Sequence, residues 1–232
     1  MRLNYAVLPA RSGSKRVIGK NIREINGKPS IAWPIETAIE SGIFEEVFVS
    51  TDSNEIAEIA KNFGAKVPFI RDFNLADDFT GTDAVIHDAI GKAKIPLGSN
   101  ICAIYPTACL ITTTHLIKSS QMLEQFPESL ILAVSKYRHP IQRAFEMSHN
   151  LTIQYLNTAF VSTRTQDLQP TYYDLGQFYW GKVETWAKQN SPNKPEMKGF
   201  LLGDNELLDI DSLDDFKLVG ELLSIRRGSG TQ

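Results

Sequence analysis

The chain has 232 residues, enough for one large domain or one domain with a small appendage, and a formal net charge of −3. That balance argues against a general nucleic-acid binder or a membrane-surface protein. The first apolar run is too short for a signal peptide and no segment approaches the roughly 18 apolar residues of a membrane span, so a cytoplasmic location is expected. Cys102 and Cys109 have no His or Cys partners at zinc-site spacing and are expected to be buried free thiols.

Short Val- and Ile-rich runs at 5–9 (YAVLP), 47–50 (VFVS), 101–105 (ICAIY) and 130–135 (LILAVS) predict strands buried on both faces. Helical spacing lies between them. Pro29 suits a first helical turn, Ile31, Ile35, Ala38 and Ile39 fall on one face, and Gly42 is placed to end that helix. In the next helix Asp52 is the expected cap with Glu55 three residues on, and Ile56, Ile59, Ala60 and Phe63 form the stripe. This alternation predicts an α/β fold, a doubly wound and mostly parallel sheet whose ligands bind beyond the carboxyl ends of its strands.

The alternation lapses after about residue 136, and residues 137–181 read as a β-rich excursion with a turn at His149-Asn150. Helical spacing returns over Val183 to Gln189, a strand-like GFLLG follows at 199–203, and a last helix begins after LLDID. There Ser212 and Asp215 stand in capping-box positions, with Phe216, Val219, Leu222 and Leu223 as the apolar face. The tail RRGSGTQ is expected to fray and receives no role.

The stretch LPARSGSKRVIGKNI (8–22) follows the first strand and holds Arg11, Lys15, Arg16 and Lys20 with no acid. A P-loop needs four residues between its glycine and its Gly-Lys; here five separate Gly13 from Gly19, and Lys20 precedes Asn21 rather than Ser or Thr. The three-glycine dinucleotide fingerprint is also missing. What remains is either a solvated basic turn or a glycine-bearing loop whose N–H groups and cations converge on a polyphosphate.

Longer stretches carry a resemblance. LPARSGSKRVIGKN (8–21), VSTDSNEIAEIAKNFGA (49–65), VPFIRDFNLADDFTGT (67–82), AIYPTA (103–108), HPIQRAFE (139–146), TRTQDLQPTYYDLGQFYWG (163–181) and LLDIDSLDDF (207–216) resemble, in this order, the CMP-sialic acid synthetase family. These are cytidylyltransferases that activate sialic acids and related 2-keto sugar acids. PIQRAF, RTQDL and GQFYWG are more similar to the pseudaminic acid branch than to the branch for ordinary sialic acid.

The resemblance implies one Rossmann-like nucleotidyltransferase domain over 1–232, with 137–181 as an inserted arm for dimerisation and sugar binding. It implies a homodimer whose substrates are CTP and a nine-carbon 2-keto sugar acid, with no nucleic-acid or membrane partner. The reaction implied is attack of the anomeric hydroxyl on the α-phosphate of CTP with loss of pyrophosphate, supplying surface glycan or flagellin glycosylation. Ala10, Arg11, Ser14, Lys15, Lys20, Asn21 and Arg71 are the implied nucleotide contacts, and Lys15, Lys20 and Asp211 the catalytic groups.

Asp209 and Asp211 would share one face of an extended segment with Ile210 turned into the core. Two bare carboxylates beside a triphosphate would repel it, so Mg²⁺ is the expected cofactor, held by that pair. Tyr105, Gln142, Arg143, Arg164, Gln166, Asp174, Gln177 and Tyr179 are the implied sugar contacts, while Phe178 and Trp180 are assigned to packing. The chain departs from the family pattern at Ile18 and Cys109, where proline is usual. Tyr105 replaces the glutamine of sialic acid synthetases, and Tyr173 stands where the pseudaminic branch often has histidine. Legionaminic, sialic or another 2-keto acid is the alternative substrate, and a nucleotide-binding module without catalysis is the third reading.

Overall fold

The computed structural model describes residues 3–188, 194–203 and 208–229. In chain order the elements are β1 (Asn4–Pro9), a small hairpin of β2 (Glu24–Ile25) and β3 (Lys28–Pro29), α1 (Ala32–Glu40), β4 (Glu46–Ser50), α2 (Asn54–Asn62) and α3 (Thr82–Lys92). Then come β5 (Asn100–Ile104), α4 (Thr113–Gln125), β6 (Leu130–Lys136), β7 (Phe145–Met147), β8 (Ile153–Tyr155), β9 (Tyr172–Lys182), α5 (Val183–Ala187), β10 (Met197–Leu201) and α6 (Leu213–Ser229).

The main sheet has the order β10-β6-β9-β5-β1-β4. The β10-β6 and β5-β1-β4 pairings are parallel, and β9 runs antiparallel between β5 and β6. Successive residues of β1 serve opposite faces. Leu8 joins a core with Ile35, Leu116, Phe178, Trp180 and Val219, whereas Val7 joins one with Phe48, Ile86, Ile90, Ile101 and Trp186. Double-sided burial is why the parallel strands are continuous apolar runs.

All four expected strands form, within a residue of the expected bounds. Three local expectations are corrected. Pro29 lies in β3, not in a first helical turn; α1 starts at Ala32 and places Pro34 in its first turn, where a missing N–H costs nothing. Ile39 is 45 % exposed, although Gly42 does follow the helix at φ +64°. Asp52 is not the cap of α2. Ser53 Oγ accepts the Ile56 N–H, and the Asp52 carboxylate is taken by Ser12.

The excursion also ends earlier than expected. Its last stretch, from Tyr172, is β9, a central strand that crosses the sheet and is irregular opposite Leu132 and Val134. Only the β7-β8 hairpin and three short 3₁₀ turns lie outside the sheet, between residues 141 and 167. The Ser212–Asp215 capping box forms as expected, each side chain accepting the other residue's N–H, at 3.2 and 2.7 Å. Helix α6 runs on through Arg226 into the stretch expected to fray, while Gln189, Leu207 and 230–232 lie outside the described residues.

Phe178 and Trp180 are fully buried, as assigned. Trp180 stacks on Phe44 at 5.3 Å between centroids and donates its indole N–H to Ser119 Oγ at 2.9 Å. Trp180→Ala is expected to cost about 3–5 kcal/mol, because it empties a large volume at the middle of the sheet and removes the indole donor to Ser119. Chemical denaturation of the variant against the parent checks this.

Candidate active site

The loop after β1 is folded by its own short-range bonds. Gly19 adopts φ +66°, and its carbonyl accepts the N–H groups of Ile22 and Arg23 at 2.9 and 2.8 Å. Asn21 donates its amide to the Arg11 carbonyl at 2.8 Å, tying the two ends of the loop together. Ser12 N–H and Oγ both donate to Asp52, at 2.8 and 2.6 Å, which fixes the loop to the end of β4. Ala10 is buried and donates to the Ser50 carbonyl at 2.9 Å, so only its carbonyl remains for a ligand.

This loop forms one wall of a cleft of about 460 Å³ at the carboxyl ends of β1 and β5. Arg11, Ser14, Lys15, Lys20, Asn21, Arg71 and Tyr105 all line it, together with Arg16, Thr82 and the acids Asp77 and Asp78. Six of the seven expected nucleotide contacts are therefore brought together, Ala10 being the exception. Every cation of the loop is paired. Arg11 donates to the Asp77 carbonyl at 2.6 Å and to the Asp78 carboxylate at 2.7 Å, and Lys15 also pairs with Asp78. Arg16 and Lys20 pair with Asp211 at 2.5 and 3.3 Å. Asp77 and Asp78 have no signal in the sequence beyond their place in NLADDFTGT (74–82).

Arg71 is only 4 % exposed. Its Nε and Nη2 make no hydrogen bond, and the nearest carboxylate, Asp52, stands 3.9 Å away. Burial pushes its pKa down, Asp52 opposes that, and nearby Arg11 adds to it. A buried guanidinium with idle donors is costly until an acceptor arrives.

Asp209 and Asp211 flank a fully buried Ile210, as the alternation requires. Burial pushes the Asp209 carboxyl up, Lys20 draws it down, and Asp211 adds to the rise. Asp211 N–H donates to Asp215 at 2.9 Å, which anchors the pair to the start of α6. Gly176, at φ +58° in the irregular part of β9, faces Asp209, whose carboxylate oxygen would lie 3.5 Å from an added Cβ. Among the described residues no three His, Cys, Asp or Glu side chains cluster as metal ligands, so the pair stands alone.

Of the expected sugar contacts, Tyr105 reaches the cleft, and its hydroxyl lies 2.8 Å from Thr82 Oγ1. Tyr179 packs edge-on against Tyr105 and donates to Asp174 at 2.6 Å. Gln177 is fully buried and donates to the carbonyls of Leu175 and Leu208, so it braces the acidic pair from behind rather than lining the cleft. Gln142, Arg143, Arg164 and Gln166 lie on the excursion and line no part of the cleft of their own chain. Gln142 donates to the Gln169 carbonyl, Arg143 to Thr165 and Arg164 to Asp167.

The departures have plain settings: Ile18 is 86 % exposed, Tyr173 packs on Tyr137, and Cys109 is buried with its thiol pushed up to about 12 by desolvation. Both cysteines are free and buried, as expected.

A doubly wound sheet with a cationic loop after its first strand, opening on a cleft at the strand carboxyl ends, is the framework of a nucleotide-handling enzyme. The family model described as Cytidylyltransferase matches residues 5–178, and the chain belongs to that family of nucleotidyltransferases. It is 36% identical to the pseudaminic acid cytidylyltransferase of Campylobacter jejuni, over 97% of this chain and 98% of that one. It is 31% identical to the CMP-N,N'-diacetyllegionaminic acid synthase of the same species, over 94% and 93%. The solved CMP:2-keto-3-deoxy-manno-octonic acid synthetase, complexed with CTP, matches at a TM-score of 0.72 over 97% of this chain and 99% of that one. At 15% identity that likeness shows the shared fold. Among the described residues no helix is long and apolar enough to cross a membrane.

The Tyr179 phenol is pushed above its ordinary value of 10.0, first by burial and then by Tyr105 and Asp174. Folding therefore favours its neutral form. The associated stability is fully present below about pH 10 and is lost as pH rises above that. Tyr179→Phe should show a shallower fall in stability above pH 10 than the parent, measured by denaturation midpoints from pH 8 to 11.

Proposed function

We propose that this chain transfers CMP from CTP to the anomeric hydroxyl of pseudaminic acid, releasing pyrophosphate, in a Mg²⁺-dependent reaction. The full-length 36% identity to a pseudaminic acid cytidylyltransferase carries the reading. The cleft is consistent with it: a triphosphate would meet Arg11, Lys15, Lys20 and the unsatisfied guanidinium of Arg71. The product would be an activated sugar for surface glycan or flagellin glycosylation, made in the cytoplasm. In support, a relative 30% identical over 92% of both chains is the post-translational flagellin modification protein B of Campylobacter coli.

The donor set suits a hard divalent cation. Asp209 and Asp211 are the candidate ligands, and the mutual repulsion that helps raise Asp209 is what a cation between them would relieve. When bound, Mg²⁺ would supply Lewis-acid activation of the attacking hydroxyl and of the α-phosphate. The remaining work falls to the chain. Lys15 and Lys20 offset charge building on phosphate oxygens, and Asn21 holds the loop closed through the Arg11 carbonyl. Tyr105, with Thr82, Tyr179 and Asp174 behind it, borders the space left for the sugar acid.

The excursion fits a second copy of the chain. Ile141, Phe145, Met147, Ile153 and Leu156 are exposed apolar residues on a stretch that packs little of its own core. Covered by a partner, Gln142, Arg143, Arg164 and Gln166 would be free to reach the partner's cleft, where an arginine suits the sugar carboxylate. Legionaminic acid is the second reading, favoured by the 31% identical synthase and by Tyr173.

Pyrophosphate release, followed with CTP, Mg²⁺ and each sugar acid in turn, should be fastest with pseudaminic acid. Release with legionaminic acid alone would move the assignment to the second reading, and none with any acid would remove the enzymatic one. Asp211→Ala should bind CTP yet lose turnover by at least about 100-fold. Light scattering should give the mass of a dimer, and Phe145→Glu should yield monomer if the excursion is the interface.

A further inference from the structure

Asp78, like Asp211, bridges two cations of the loop, but unlike Asp211 it has no place in the candidate metal pair. It sits on the turn between Ala76 and Gly81, one carboxylate oxygen on Arg11 and the other on Lys15. The turn does not need it for shape. The neighbouring Asp77 carboxylate accepts the N–H groups of Phe79 and Thr80 at 3.0 and 2.7 Å, and Thr80 Oγ1 reaches the Asn74 carbonyl at 3.4 Å. The ion pairs it makes are half-open to solvent, with side-chain exposures of 36 % for Arg11, 82 % for Lys15 and 31 % for Asp78. Such pairs are weak and readily exchanged. Asp78 is thus a carboxylate whose partners are two cations lining the cleft, held there by a turn that folds for other reasons.

We infer that Asp78 is a displaceable stand-in for phosphate and that it sets which anions the cleft retains. This rests on the reading that the cleft takes CTP. A triphosphate brings several negative charges and many acceptor oxygens, against one carboxylate shared between two cations, and it displaces Asp78. Pyrophosphate that has lost its link to cytidine has only its charge to hold it. It competes with a carboxylate tethered a few ångströms away, whose effective concentration is high and independent of dilution. Asp78 therefore weakens every polyphosphate, and the nucleotide keeps its place through its base and ribose whereas pyrophosphate does not. The specificity gained is against retained product, at the expense of affinity for CTP.

The test is calorimetric titration of the full chain with CTP, pyrophosphate and cytidine, for the wild type, Asp78→Asn, Asp78→Ala and Asp78→Glu. Removing the competing charge should tighten both CTP and pyrophosphate by about three- to tenfold, the exchange of two exposed ion pairs. Cytidine, which has no phosphate, should bind all variants alike, and Asp78→Glu should stay near the wild type. Pyrophosphate should correspondingly become a stronger product inhibitor in the Asn and Ala variants. Equal or weaker CTP binding by folded Asp78→Asn or Asp78→Ala would overturn the inference and make Asp78 a mere brace. So would a matching gain in cytidine affinity. No CTP binding by the wild type would remove the nucleotide reading itself, and this inference with it.

Discussion

The site depends on an exchange of charge. A loop with four cations in ten residues cannot stand bare in an acidic protein without cost, and this one does not: Asp78 takes Arg11 and Lys15, and Asp211 takes Arg16 and Lys20. Two carboxylates on other parts of the chain thereby cover half of the loop's positive charge, and the wall stays cationic. An anion that binds the loop's cations must displace these internal partners, so its affinity is a difference between opposing terms. Arg71 is the exception, since its burial and its idle donors leave it without a good internal partner.

The sheet makes this exchange possible by fixing the cations and their partners independently. The loop is clamped to β4 through Ser12 and Asp52 and closed on itself through Asn21 and Gly19. Asp211 hangs from the capping box that starts α6, and Asp78 from a turn braced by Asp77. None of these supports is itself a cation of the cleft. The framework can therefore hold still while the pairing across it changes, which is the property that electrostatic preorganisation requires.

The parallel strands were legible in sequence because burial on both faces leaves an unbroken apolar run, and LILAVS or YAVLP admits little else. The strand at Tyr172 was not. Its polar start, its glycine and the irregular pairing around Gly176 break both the continuous and the alternating pattern, so its central place in the sheet depends on partners far along the chain. Asp52 illustrates a second limit. Next to Ser53 either residue has the chemistry of a helix cap, and the choice was made by Ser12, forty positions earlier, which takes the carboxylate. The cations of the site stood out by composition. Their acidic partners did not, because Asp77 and Asp78 lie in a motif where an acid reads as ordinary turn chemistry.

A division of labour follows from where each group is attached. The nucleotide side of the cleft is built on the loop directly after β1 and on the connection between α2 and α3, where the Arg71 N–H donates to the Thr51 carbonyl just past β4. The candidate sugar contacts are of two kinds. Tyr105 and Tyr179 belong to β9 and the end of its neighbour β5, and pack against each other there. Gln142, Arg143, Arg164 and Gln166 belong to the excursion, whose apolar side chains lie open. In the proposed dimer these four would be positioned only in the assembly. Choice of sugar would then be coupled to association of the chains, while binding of the nucleotide would need one chain alone.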